Sequence, residues 1–362
     1  MFWLGIIVSL CYVPGITGAY IATQWPVLAL VMPFWLLRSG RFTPLHLVGI
    51  LFVTYAAIQI LWTVNVYGAV YGFWLLTIWA TIVWFGNAVP DADLRELYKG
   101  LAVGAAVSSF VAVLQHFGIG VVPRMSFAPA GLYVNSVQQS VVLALLAIAL
   151  VTEGLWLWVL PLVPGLVLAD SRSGVITVLV GLLGCLMRNL LVPAFIIATA
   201  AMFYLSHPLS SDVQRLYIWD VAWRGLTWLG WGTGAFYSIL LGQNGTTFFP
   251  EYAHNDFLQL AFEYGIGALL PVTILTYALW RADAKQWPIV LAFCAAMCFS
   301  MPLFMPIAAF LGLISVGHVI RLYGVPCDNR HVSGQHGLSR YSPIATTCRG
   351  DLPLASNYSA KG

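Results

Sequence analysis

Few residues of this chain are of a type that does chemistry, and they are unevenly placed. Arg172 lies within Asp170-Ser-Arg-Ser-Gly174, Arg215 opens a Trp-rich stretch, and His254 begins His254-Asn-Asp256. Arginine offers a planar fork of donors that matches phosphate oxygens. An imidazole of ordinary pKa is about half neutral near pH 6.5 and is able to take a proton from a hydroxyl. These types together point to an anionic, phosphate-bearing ligand handled beside a proton acceptor.

Hydrophobic residues make up 60% of the 362 positions and charged residues only 8%, against about a quarter charged in soluble domains. A membrane-spanning helix needs about 20 mostly apolar residues, and the chain offers many such stretches. The fold class is therefore all-α, a polytopic membrane protein. Long unbroken apolar runs such as Val141–Val151 exclude the dyad alternation of a β-barrel. About twelve spans are expected, at 2–22, 25–38, 44–63, 66–88, 98–118, 137–152, 155–169, 172–187, 189–206, 254–280, 287–302 and 304–322. Residues 2–22 lack a basic n-region and a small-residue cleavage site, so they read as a first span rather than a signal peptide.

With the N-terminus inside, all but four of the sixteen Lys and Arg residues fall on the cytoplasmic side, as the positive-inside rule requires. The exceptions are Arg124, Arg172, Arg215 and Arg224. Residues 207–253 form one large external loop on a transmembrane domain of 1–322. Residues 323–362 form an internal tail rich in Gly, Ser, Pro and Arg, expected to be disordered. Cys294 and Cys298 sit one turn apart in a span and read as packing residues. Cys327, Cys348, His331 and His336 match no standard zinc spacing. No metal and no cofactor is expected, nor is nucleic acid expected as a partner. His116 and His207, also external, read as structural.

The large loop opens with Ser211-Asp-Val-Gln214, a capping-box pattern, and continues as a helix of roughly four turns at the membrane surface. Arg215, Trp219 and Trp223 are expected on one face, with Arg224 opposite them and paired to Asp220 at i,i+4. Arg172, with Ser171, stands at the external start of a helix, where amide donors and the helix dipole favour an anion. Asn255 or Asp256 caps the helix that follows His254. Glu263 lies nine residues after His254, roughly 13 Å along that helix, where a carboxyl needs a partner and is a functional candidate. Asp91-Ala-Asp93 resembles a metal-nucleotide pair but reads as solvated charge at a helix start.

On these motifs the chain resembles the O-antigen ligase and polymerase superfamily. His254-Asn-x-x-Leu258-x-x-x-x-Glu263-x-Gly265 is similar to that family's His-Asn signature, with Ala268 where a second Gly is usual. Asp170–Gly174 resembles its Ser-Arg-Ser-Gly entrance. Arg215-x-x-x-Trp219 with Gly232-x-Gly234-x-Phe236 resembles its large-loop pattern, and Gly131-x-x-x-Asn135 is a looser fourth element. The resemblance implies a GT-C-like glycosyltransferase in a bacterial inner membrane, with both termini cytoplasmic and the active site facing the periplasm. It implies an undecaprenyl-diphosphate-linked glycan as donor, a lipid A–core or other glycan as acceptor, metal independence and inversion. His254, Arg172 and Arg215 would then be catalytic. Arg124, Asn135, Ser171, Trp219, Arg224, Asn255 and Glu263 would bind substrate, and membrane lipid would be a further partner. A polysaccharide polymerase and a protein oligosaccharyltransferase share the donor; a lipid-linked-glycan flippase is the alternative outside the class.

Overall fold

Within a bilayer, backbone groups have no water to bond, so apolar segments close their hydrogen bonds internally as helices. A computed structural model of the chain describes residues 1–10, 24–30, 42–120, 128–133, 135–186, 210–236, 238–239 and 252–323. Every regular element among these residues is helical. Three stretches are long and apolar enough to cross a membrane, Val66–Ala88, Asp91–His116 and Asp256–Arg281, and six shorter apolar helices accompany them. The chain is accordingly a helical membrane protein. It divides into Met1–Val325 and a terminal unit of Pro326–Gly362, and the latter lies outside the described residues. The expected span at 189–206 also lies outside them.

The α-helices are α1 (Phe2–Leu10), α2 (Pro44–Gln59), α3 (Val66–Ala88), α4 (Asp91–His116), α5 (Ser136–Thr152) and α6 (Val163–Leu168). They continue as α7 (Arg172–Leu186), α8 (Ser210–Arg224), α9 (Asp256–Tyr264), α10 (Leu269–Arg281), α11 (Gln286–Phe299) and α12 (Pro306–Tyr323). Side-chain oxygens of Asn65, Asn135 and Asn255 accept from the first-turn amides of α3, α5 and α9. Each thereby satisfies an otherwise orphaned donor. The close crossings rely on small residues. A Cβ on Gly317 of α12 would run into the Val83 carbonyl of α3, and one on Gly100 of α4 into the Phe2 carbonyl of α1.

Contacts at the helix ends sort the chain into two sides. At one side Glu153 lies 3.6 Å from Lys285, and Asp91 lies 3.3 Å from His318 and 4.0 Å from Arg321. At the other, the Gln59 amide donates to the Leu229 and Glu263 carbonyls, and Asn65 to the Gly234 carbonyl. The first group comes from loops expected inside and the second from loops expected outside.

Three expectations on helix boundaries are corrected. α4 begins at Asp91 rather than at 98, because Pro90 precedes it and Asp91 and Asp93 stand in a first turn that favours negative charge. Asp91 and Asp93 thus stand at a helix start as expected, Asp91 with an exposed side chain that also lies near His318 and Arg321. The 155–169 segment starts as a 3-10 helix, Trp156–Leu162, with Pro161 inside it. The helix expected over 254–280 is interrupted after Tyr264, because Gly265 takes φ 54 and ψ −129. Backbone from far upstream in the chain fills that break: Ile266 N–H donates 2.8 Å to the Trp228 carbonyl, and Gly232 N–H donates 3.0 Å to the Glu263 carbonyl.

Gly265 is therefore a test of the interruption. A Cβ there would be strained by φ and would collide with the Trp228 carbonyl. Gly265→Ala is expected to destabilise by about 1–3 kcal/mol, read as a lower thermal midpoint of the purified protein in detergent. An unchanged midpoint would mean that α9 and α10 form one continuous helix.

Candidate active site

The polar content of α9 is confined to one stripe. Asp256, Gln259 and Glu263 follow an i, i+3, i+7 spacing that aligns them along the helix, and all three are buried. Burying polar groups in an apolar setting is unfavourable unless each finds a partner, and each of the three holds a different segment.

Glu263 holds the glycine-rich loop. Its carboxyl accepts the backbone amides of Gly234 and Phe236, and Gln259 Nε2 donates to Oε1 at 3.3 Å. Gly230, Gly232 and Gly234 have φ 71, 97 and 70, a region that glycine enters without strain. The glycine-rich pattern thus lets the loop lie flat against the end of α9. The helix breaks two residues later, at Gly265, and the carboxyl that was expected to need a partner finds it in this loop and in Gln259.

Gln259 holds the turn carrying His254: its Oε1 accepts from the Ala253 amide at 3.0 Å, while the Ala253 carbonyl accepts from Trp219 Nε1 at 2.7 Å. The third member, Asp256, has a fully buried carboxyl whose Oδ2 accepts the Leu303 amide at 2.9 Å. This joins the start of α9 to the irregular segment between α11 and α12. Asn255 caps α9, its Oδ1 accepting from Leu258 at 3.0 Å.

Between these clamps His254 adopts φ 53. Among the described non-glycine residues only His254 and Asp170 have positive φ, and each stands two residues before one of the two helix starts carrying the candidate chemistry. Such a conformation costs about 1–3 kcal/mol and persists only where surroundings over-determine it. His254 is half-buried, and its Nδ1, which is buried, has no hydrogen-bond partner. Burial and, second to it, the nearby Arg215 guanidinium push its pKa down to about 4. The expectation of an ordinary imidazole is corrected: His254 is neutral throughout the physiological range.

α8 positions Arg215. Ile218 and Ala222 pack its inner face against Phe236, Ala253 and Phe262. Taking about 100° per residue, the stripe centred by Ile218 and Ala222 lies nearest Arg215, with Trp219 farther round and Trp223 farthest from it. Trp223 is correspondingly 68% exposed, so the expectation that it shares the face of Arg215 and Trp219 is corrected. Arg224 points away and pairs with Asp220 at 3.0 Å, both exposed. An exposed pair of this kind contributes about 0.2–1 kcal/mol.

The Phe299 carbonyl, at the end of α11, gathers the other elements. Ser173 Oγ donates to it at 3.0 Å and Arg215 Nη1 approaches it at 3.5 Å. The Asp170–Gly174 turn and Arg215 thus meet at one helix end. Ser171 is buried with no hydrogen-bond partner for its Oγ, and Arg172 begins α7 half-buried. Asn135 caps α5, accepting from Val137 at 2.8 Å. Arg124 and His207 lie outside the described residues, as do the side chains of Ser211 and Asp212. His116 ends α4, with its ring against Phe117.

Sequence reasoning missed Asp256 as a tether, Gln259, and the Phe299 and Leu303 backbone. The 256/259/263 spacing was the available signal for the side chains; backbone partners have none.

The class these features define is a helical membrane protein in which arginine and imidazole groups are brought together at a candidate site. Residues 125–273 match the family model described as O-antigen ligase. That match is consistent with the resemblance to the O-antigen ligase and polymerase superfamily that the motifs indicated. The matched region contains Arg172, Arg215, His254 and Glu263 and stops short of Phe299 and Leu303. Comparison with curated proteins gave no match.

The depressed pKa is open to direct measurement. Imidazole NMR titration of His254 is expected to give a value near 4. Arg215→Gln should raise it part of the way toward 6.5, because burial, the larger cause, remains. A value in the wild type already near 6.5 would show that the imidazole is solvated.

Proposed function

We propose that this protein transfers a glycan from undecaprenyl diphosphate to a lipid A–core acceptor at the periplasmic face of the bacterial inner membrane, without a metal. The observation that carries the reading is the placement of neutral His254 beside Arg215 at a strained turn, with the Arg172 helix start brought to the same helix end. An acceptor hydroxyl attacks the anomeric carbon as the bond to the diphosphate breaks. His254 takes the hydroxyl proton, and Arg172 and Arg215 stabilise charge building on the departing diphosphate. A single displacement of this kind inverts the anomeric centre.

Ser171, Trp219 and Asn255 act around these groups: Trp219 and Asn255 hold the His254 turn, and Ser171 offers an unpartnered hydroxyl beside Arg172. Asn135 and Arg124 are proposed as contacts of the saccharide or diphosphate, and Arg224 as a weaker contact at the membrane surface. Both termini are cytoplasmic on this reading, the transmembrane domain spans 1–322 with a GT-C-like helix arrangement, and 207–253 is the periplasmic loop.

The test is reconstitution with an undecaprenyl-diphosphate glycan and a choice of acceptors. Transfer to lipid A–core is expected, with no loss on adding EDTA. Lengthening of the lipid-linked chain instead would identify a polymerase, and transfer to a polypeptide an oligosaccharyltransferase. His254→Ala is expected to lower turnover about 10²- to 10⁴-fold, and near-wild-type turnover would remove His254 from the base role. In the wild type, kcat/KM, which reports the free enzyme, should hold through neutral pH. It should fall only as pH approaches about 4, where the imidazole protonates. An acid limb centred on 6.5 would contradict the buried, neutral base.

A further inference from the structure

Beside the His254 turn lies a second space with different chemistry. A cavity of about 280 Å³ runs along α3 toward α9, and its lining includes Tyr71, Trp79, Tyr252, Gln259, Glu263 and Phe304. Its volume corresponds to the share of about nine liquid waters, space for one monosaccharide ring. Tyr252, Phe304 and Trp79 form a continuous aromatic wall, with ring centroids 4.6 Å apart for the first pair and 5.7 Å for the second. The polar wall comprises Gln259 and Glu263, with Asn65 and Thr233 beside them. Among the described residues that line it there is no Arg, Lys or His.

That composition selects a ligand. A phosphate would find no cation here and would face the Glu263 carboxyl, so the cavity is not an anion site. A saccharide ring presents an apolar C–H face, which suits aromatic rings, and hydroxyl donors, which suit carboxyl and amide oxygens. Glu263 has room for this. A carboxylate offers about four lone-pair positions, and three are taken, by Gly234, Phe236 and Gln259. The cavity is also coupled to the chemistry. Tyr252 lies two residues before His254, and Gln259, in its wall, holds the Ala253 amide.

We infer that this cavity is a pyranose-binding subsite, taking one uncharged sugar ring of a glycan whose reacting end lies at His254. The identity of the glycan rests on the transferase reading above; the binding of a sugar ring does not. Both the donor's glycan and the acceptor's carry such a ring, and the experiment separates them.

Saturation-transfer NMR on the purified full-length protein, with a panel of methyl hexopyranosides and with inorganic diphosphate as probes, reads binding alone. At least one glycoside is expected to bind the wild type and His254→Ala, undisplaced by diphosphate, and to bind at least about tenfold more weakly to Tyr71→Ala and Phe304→Leu. Phe304→Leu keeps an apolar side chain and Tyr71 is 42% exposed, so both variants should retain the wild-type thermal midpoint. In the transfer assay the same variants should raise one substrate's KM about tenfold with kcat within about twofold, the pattern of lost uniform binding. A shifted donor KM assigns the ring to the donor, and a shifted acceptor KM to the acceptor. No glycoside binding to the wild type, equal binding to the folded variants, or displacement by diphosphate would each overturn the subsite. Glycoside binding without any transfer would overturn the transferase reading and leave the subsite standing.

Discussion

The candidate site depends on one constraint: three polar side chains on one stripe of α9 are buried in an apolar bundle, and none is stable there without a partner. Their partners lie in three separate stretches of chain. Glu263 takes amides of the glycine-rich loop, Gln259 takes the Ala253 amide, and Asp256 takes the Leu303 amide. Satisfying the stripe therefore assembles the site, since each bond locates a segment that carries or supports a functional group. The interruption at Gly265 follows from the same requirement. A continuous helix would use the amides there internally and leave the Trp228 carbonyl without the Ile266 donor.

The same clamps sustain the conformation of His254. Its positive φ is unfavourable by itself, and the preceding residue, Ala253, is held on both sides, its amide by Gln259 and its carbonyl by Trp219. Trp219 belongs to α8 and Gln259 to α9, so the turn is fixed only when the large loop has docked through Ile218, Ala222, Phe236 and Phe262. Positioning of the imidazole and docking of the loop are one event in this architecture. The family-matched segment accounts for most of it, yet the Phe299 carbonyl and the Leu303 amide lie beyond residue 273. They are backbone groups, which a match of side-chain types does not register.

What the sequence disclosed and what it concealed divide along that line. Apolar length placed most of the described helices, because a bilayer constrains composition directly. The Asp220–Arg224 pair and the Asn255 cap were legible, because both are set by local spacing. Trp223 was misplaced because the buried stripe of α8 is centred by Ile218 and Ala222, and three aromatic or cationic residues do not reveal that centre. Glu263 was seen as a carboxyl in need of a partner, but its partners are amides some thirty residues upstream. The lowered pKa of His254 was equally out of reach, since it arises from tertiary burial and a guanidinium on another helix.

That guanidinium gives the arrangement a further consequence under the proposed chemistry. A base whose pKa is near 4 is fully neutral in the resting protein but is a weak proton acceptor. One of the two causes of the depression is the positive charge of Arg215. A diphosphate seated on Arg215 brings negative charge close to the imidazole and offsets that repulsion, which favours the protonated form and raises the pKa. His254 then becomes a stronger base when the donor is in place, and by linkage its protonation tightens the hold on the diphosphate. Burial sets a low starting point, and the charge of the donor moves the imidazole toward the basicity that proton transfer requires.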